Sequence, residues 1–344
     1  MPTLHPQLIL VDSVEPDDES QLILPQDCTA APTPILVSIP PSFAGLRLDS
    51  TLAAIIPELS RNKIINWIKA KQIVVNNLPA KPKDKVAEGD TIVITPDLSI
   101  ANPDSHPENI PLNIIHEDEH ILVLNKPAGL VVHPGNGNWS GTLLNALLYH
   151  SPDAQYLPRA GIVHRLDKDT SGLMVVAKTL LAQTKLVEQL QEHSVSRIYH
   201  AIVHGQPPRT GSITKNIGRD PKNRIKMAVL EYGGRNATTH YKVLEYFTDF
   251  SHIECRLETG RTHQIRVHLK SIGYPLMADP LYGKHKVNYI PELAEAISSL
   301  NRQALHALQL SFIHPQTNQL VEFACDLPSD FANVLKVLRD TQNQ

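Results

Sequence analysis

Residues 161–179 read GIVHRLDKDTSGLMVVAKT. The first half of this stretch is crowded with charge: Arg165, Asp167, Lys168 and Asp169 follow His164. A Thr-Ser-Gly turn comes next, and then the uninterrupted apolar run Leu173–Ala177, which has the length and character of a strand buried on both faces. A carboxylate at the mouth of such a strand is partly withdrawn from water, and withdrawal favours the neutral acid, so a nearby cation is needed to keep it ionised. The chain offers one in Arg266. The segment THQIRVHLKSIG (262–273) has Ile265, Leu269 and Ile272 at helical spacing. Arg266 follows Ile265 and so sits about 100° around the helix, at the edge of the apolar stripe. From there it can reach a carboxylate across a cleft. On spacing alone, an ordinary turn residue or ion pair would account for Asp167 more often than a catalytic role.

Outward from this stretch, strand and helix patterns alternate without a regular βαβ repeat. NIIHEDEHILVLNKPAGLVVHPG (113–135) predicts two or three short strands with a turn at Glu117–Glu119. GTLLNALLYH predicts a helix, and Thr179 an N-cap for a helix carrying Ala182, Leu186, Val187 and Leu190. RIYHAIVHG alternates, so Tyr199, Ala201 and Val203 share one face and Ile198, His200 and Ile202 the other. THYKVLEYF and HIECRLETG add further strands. The predicted fold class is α+β, a mixed and mainly antiparallel sheet with flanking helices.

The N-terminal third is built differently. Residues 1–40 hold seven prolines and six acids with no Lys or Arg, and predict an acidic extension without fixed structure. Since the whole chain carries a formal charge of −3 and the extension −6, the remainder carries +3. Residues 44–97 predict a small separate domain. Leu48, Leu52, Ile55 and Ile56 mark one helix, Ser60 caps a second carrying Ile64, Ile65 and Ile68, and IVVNN and DTIVIT supply short strands. Arg61, Lys63, Lys69, Lys71, Lys81, Lys83 and Lys85 fall in this domain against the single acid Asp84 within 60–86. A local basic patch of this kind can hold a polyanion even on a near-neutral chain. Two helices, a small sheet and that patch resemble the S4 RNA-binding module. Residues 98–111 (LSIANPDSHPENIP) predict a linker, which leaves 112–338 as the main domain.

Three cysteines (Cys28, Cys255, Cys325) lie far apart without a CxxC pair, so neither a disulfide framework nor a cysteine zinc site is indicated. No signal peptide, membrane span or Gly-rich phosphate loop is evident, and a cytoplasmic location is expected. His263 and His268 lack the Glu of an HExxH arrangement. His164 suits a structural, RNA-contacting or catalytic place equally, Asp169 a turn, and Lys126 of NKPAG a phosphate contact or plain solvation.

Set in order, NKPAGLVVHPG, GIVHRLDKDTSGLMVVAKT, RIYHAIVHG and LETGRTHQIRVHLKSIGYPLMADPLYG resemble the RluA family of pseudouridine synthases, and the resemblance runs from about residue 44 to about residue 338. It implies isomerisation of uridine to pseudouridine in an RNA whose target nucleotide is flipped from its stack. It assigns the catalytic aspartate to Asp167, its paired arginine to Arg266, the active-site tyrosine to Tyr199, and a nucleotide-holding arginine to Arg165. The implied partner is RNA, a 23S-type ribosomal RNA or a pre-ribosomal particle, with no cofactor, no metal, no membrane and a monomeric chain. The readings that compete with it are a non-catalytic RNA-binding or ribosome-assembly factor and a zinc-dependent base deaminase, whose His/Cys cage this sequence does not show.

Overall fold

The computed structural model describes residues 35–56, 61–95, 105–135, 138–223, 225–283 and 289–342, and the chain divides into two compact units at Ile100/Ala101. Most of the acidic extension, Ser60 and residues 96–104 lie outside the described residues.

In the first unit β1 (Ile35–Ser38) is followed by α1 (Leu48–Ile55), α2 (Arg61–Lys69), β2 (Ile73–Val75), β3 (Leu78–Pro79) and β4 (Thr91–Ile94). The strands form one sheet in the order β1-β4-β2-β3. The end of the segment assigned to the unstructured extension is therefore a strand: Ile35–Ser38 pairs antiparallel with Thr91–Ile94. ILVS is β-branched and apolar enough to add to a sheet edge, and Val37 and Ile39 are buried. The two helices are tied by Asp49, which is buried and accepts from both Arg47 and Arg61. The Arg47 fork chiefly holds its carboxyl down at about 2.

The second unit contains β5 (Ile114–Glu117), β6 (Ile121–Lys126), α3 (Leu143–His150), β7 (Ser171–Ala177), α4 (Leu180–Gln191), β8 (Ser196–His204), β9 (Thr210–Arg219), β10 (Met227–Leu230), β11 (Arg235–Tyr246), β12 (Phe250–Leu257), α5 (Gln264–Ser271), α6 (Pro291–Leu300), β13 (Leu305–Ile313), β14 (Leu320–Ala324) and α7 (Ser329–Gln342). The strands make one ten-stranded sheet in the order β10-β9-β11-β12-β8-β13-β7-β6-β5, with β14 on β13. Every pairing is antiparallel except β13 with β7. The period-2 alternation of β8 divides as its sequence implies. Tyr199, Ala201 and Val203 enter the core under α3 and α5, whereas Ile202 joins the core under α6 and α7. The fully buried β7 feeds both sides, Met174 and Val176 toward α3, Leu173, Val175 and Ala177 toward α4.

One further boundary differs from the sequence reading. Residues 105–111 belong to the second unit, since Asn145 of α3 donates to the His106 carbonyl and Glu108 accepts from the Gly141 amide. The GLVV segment (129–132) forms no strand, Val131 making an isolated bridge to Thr142, so the region holds two of the two or three strands expected. Among the described residues, no helix is long and apolar enough to cross a membrane.

Candidate active site

Asp167 lies on the loop entering β7, and Tyr199 lies on β8. Strand β13 runs between them, and its Ala307 is opposite Gly172 of β7 on one side and Tyr199 on the other. The close approach depends on Gly172, whose φ is 118°; a Cβ there would fall 2.2 Å from the Ala307 carbonyl oxygen. The Thr-Ser-Gly turn thus exists to bring the Asp167 loop against the strand beside Tyr199.

The loop is clamped from below by Lys126. This side chain is fully buried and donates to the carbonyls of Pro127 (2.7 Å), Leu130 (2.9 Å) and Lys168 (2.9 Å). Three acceptors match the three protons of an ammonium group. Burial lowers its pKa to about 7, against the pull of Asp169 and Asp167. Lys126 is therefore neither a phosphate contact nor a solvated surface group: the NKPAG turn folds over it. His164 is half-buried at the cleft and is tied to β7. The Val175 amide donates to its Nε2 at 3.0 Å, and burial holds its pKa at about 3, so it is a neutral structural acceptor.

Arg266 arrives from α5. It is 4% exposed, and its Nη1 donates to Asp167 Oδ2 at 2.9 Å. The rest of the fork is held by Asp279, with Nε to Oδ2 at 2.8 Å and Nη2 to Oδ1 at 2.9 Å. Asp279 also accepts from the Leu281 and Tyr282 amides, and the Tyr282 ring lies 5.0 Å from the guanidinium carbon. Burial works against the charge on Arg266, but the bonds to Asp279 and Asp167 outweigh it and raise its pKa. One cation thus serves two carboxylates: Asp279 fixes its plane through Nε and Nη2, and Asp167 binds the third nitrogen, Nη1.

The helix opens at His263, in the left-handed region at φ 55°. Its Nδ1 is 2.9 Å from the Tyr282 hydroxyl, which accepts from the Met227 amide, also at 2.9 Å. The hydroxyl hydrogen is then available to Nδ1, leaving the imidazole proton on Nε2, 3.9 Å from Asp167 Oδ1. Burial lowers the pKa of His263 and keeps it neutral. His268 is spent elsewhere, on Thr239 and the Lys215 carbonyl, while Ile265 and Leu269 are core residues.

Asp167, Tyr199 and Arg266 line one cleft of about 870 Å³, together with Arg165, His164, Arg197, Leu257 and residues 259–265. Tyr199 is buried, which raises the pKa of its phenol. Arg165, Arg159 and Arg235 are exposed at this cleft. In the first unit Lys69, Lys71, Lys81, Lys83 and Lys85 are exposed, Arg61 is partly engaged by Asp49, and the Lys63 side chain lies outside the described residues. The sequence brought Asp167, Tyr199, Arg266 and Arg165 together through the family resemblance, weighed His263 only as a metal ligand, and left out Asp279, Tyr282 and Arg197. Asp279 stands 13 residues beyond Arg266, in a loop with no periodic signal; only the MADPLYG string marks it.

Residues 120–271 match the family described as RNA pseudouridylate synthase, and residues 46–92 match the S4 domain. Over 304 residues the chain is 53% identical to a protein of Neisseria meningitidis serogroup B, covering 88% of this chain and 81% of that protein. Over 306 residues it is 49% identical to a protein of Nitrosomonas europaea, covering 89% and 88%. Among solved structures, human RNA pseudouridylate synthase domain containing 4 aligns with a TM-score of 0.52 at 25% identity, over 66% of this chain and 93% of that one. The chain belongs to the RNA pseudouridylate synthase family, and its chemistry is RNA isomerisation. The Neisseria and Nitrosomonas relatives are both named ribosomal large subunit pseudouridine synthase D.

Proposed function

We propose that this enzyme isomerises uridines of large-subunit ribosomal RNA, with Asp167 as the carboxylate that engages a flipped-out nucleotide. The observation that carries the reading is the 2.9 Å pair of Asp167 with an immobilised Arg266 at the wall of a cleft of about 870 Å³, within the range of volumes that hold small ligands. A sugar–base bond cannot be reached inside a helix, so the target uridine must leave its stack to enter.

In the cleft, the Arg266 bond holds Oδ2 of Asp167 and leaves Oδ1 for the substrate. Attack at C1′, addition at C6 and removal of the C2′ proton all begin from that ionised oxygen. The C1′–N1 bond is broken, the uracil turns, C5 bonds to C1′, and the proton lost from C5 is balanced by one gained at N1. Tyr199 packs on the ring from β8, and Arg165 at the rim takes a phosphate. The lysines of the S4 unit (Lys69, Lys71, Lys81, Lys83, Lys85) supply phosphate contacts that dock the RNA rather than react with it. The relatives' names and the S4 match support ribosomal RNA as the substrate.

The test is pseudouridine mapping of total RNA, ribosomal and transfer RNA together, from cells lacking the protein. Specific sites should lose pseudouridine, regain it with the wild type, and stay unmodified with Asp167→Asn. Restoration by Asp167→Asn would remove Asp167 from the chemistry, and loss confined to transfer RNA would replace the substrate.

A further inference from the structure

Arg197 is a buried cation in the cleft wall that the roles above leave unused. It lies on β8 two residues before Tyr199, so both side chains point to the same face. It is only 6% exposed, yet it lines the cleft. Arg266 and Arg302 are each answered by carboxylates, but among the described residues Arg197 has no ion pair. Its Nη2 donates to the Glu258 carbonyl at 3.0 Å, and its Nε is buried with no hydrogen-bond partner. Burial pushes the guanidinium below its ordinary value, with only the Tyr199 phenol opposing the shift. Room for the group is made by Gly260, where a Cβ would lie 2.7 Å from Arg197 Nη1.

A desolvated cation without a counter-charge is costly, and a fold that keeps one at a reactive cleft leaves it for a charge that arrives with the substrate. The exposed Arg165, Arg159 and Arg235 are placed for phosphates, whereas Arg197 is sunk beside the ring of Tyr199, where the edge of a stacked base would lie.

We propose that Arg197 contacts the uracil ring itself, donating to a carbonyl oxygen and holding the negative charge the ring carries while its bond to the sugar is broken. This deepens the reading that the uridine enters the Asp167 cleft and rests on it. When C1′–N1 breaks, the electron pair passes to N1 and spreads over O2 and O4; addition at C6 places charge on O4. On each route the charge is transient, and a preorganised donor aimed at it lowers the barrier more than it tightens binding. The charge disperses as C1′–C5 forms, C5 loses its proton and N1 gains one. A guanidinium has donors and no acceptor, so it also favours the carbonyl O4 of uracil over the amino group of cytosine.

The experiment uses the full-length protein under single turnover, on ribosomal RNA fragments carrying uridine or 5-fluorouridine at the mapped position. Loss of the starting nucleoside is followed by mass spectrometry of nuclease digests. Fluorine withdraws electrons and itself stabilises the ring anion. Arg197→Met should slow uridine by about 100-fold at saturating RNA with little change in KM, the size of effect seen when one anion-stabilising donor is lost, and should slow 5-fluorouridine far less. Arg197→Lys, which keeps the charge, should recover about tenfold of the loss. Gly260→Ala, which displaces the guanidinium rather than deleting it, should shift the uridine-to-fluorouridine ratio the same way. That ratio is independent of how much of a variant is folded. Equal slowing of both substrates, or none, would overturn the role of Arg197. Asp167→Asn run alongside separates the two readings: its activity on uridine would defeat the site assignment, whereas an inert Asp167→Asn with equal slowing by Arg197→Met defeats Arg197 alone.

Discussion

Arg266 shows how one residue type can be placed by sequence while its geometry stays hidden. Its position beside Ile265 on an amphipathic helix implied a side chain at the edge of the core, and the pair with Asp167 at 2.9 Å is what that edge delivers. Nothing in the periodicity implied Asp279, because a buried loop carboxylate leaves no repeat in the sequence. Arg266→Met leaves Asp279 buried without its cation and Asp167 without its anchor. The expected result is a loss of about 10²–10³ in kcat with a lowered melting temperature, read by tritium release from RNA labelled at C5 and by thermal unfolding. Asp279→Asn, which keeps the shape but weakens the grip on the guanidinium, should reduce kcat by a smaller factor while Asp167 and Arg266 remain. Lys126 carries the opposite lesson. An exposed lysine and a buried one look identical in a string of letters, and only the three carbonyls gathered around its Nζ distinguish them. Lys126→Met strips those acceptors of their donor and should cost about 1–3 kcal/mol of stability, measured by urea unfolding.

At the scale of elements, several strands and helices with strong patterns were legible: β7 from its unbroken apolar run, β8 from its alternation, α3 from its leucines and α4 from its threonine cap. The elements not read include the strongly amphipathic α7, which buries Phe331, Val334, Leu335 and Leu338 at helical spacing, as well as weakly patterned strands. Strand β9 buries only Ile213 and Ile217 along its length, and β14 buries no residue fully, so neither carries a clear period. Strand β1 was lost for another reason: three apolar residues and a serine next to a proline-rich acidic segment are too short to separate from it by composition. The pairing of β7 with β13 could not be read at all, since a parallel bridge between residues so far apart depends on the whole topology. Gly172 is the element on which it turns. Gly172→Ala places a methyl against the Ala307 backbone at an unfavourable φ, and a cost of about 3 kcal/mol is expected. Because the same contact sets the spacing of Asp167 and Tyr199, kcat of the folded fraction should fall as well, a combination checked by pairing urea midpoints with active-site-normalised turnover.

Over the whole molecule, several histidines are held neutral. His164 and His252 are held near 3, and His306 near 4, in each case chiefly by burial. The unfolded chain takes up these protons below about pH 6.5, whereas the folded chain refuses them until near 4 or 3. Between those limits the unfolded state binds more protons, so stability falls as the pH is lowered. Urea midpoints should therefore decline steadily from pH 6.5 to pH 4, before most carboxylates protonate, and a flat profile over that window would mean these side chains are charged in the native state. The sheet order has a temporal side too. Strand β13 (Leu305–Ile313) is wedged between β7 and β8, so the two halves of the reactive centre have no common wall until it is inserted. A chain still being translated carries Asp167, Tyr199 and Arg266 long before it carries that wedge. A chain made only as far as α5 therefore holds every reactive side chain and no reactive centre; the centre comes into being when β13 takes its place in the sheet.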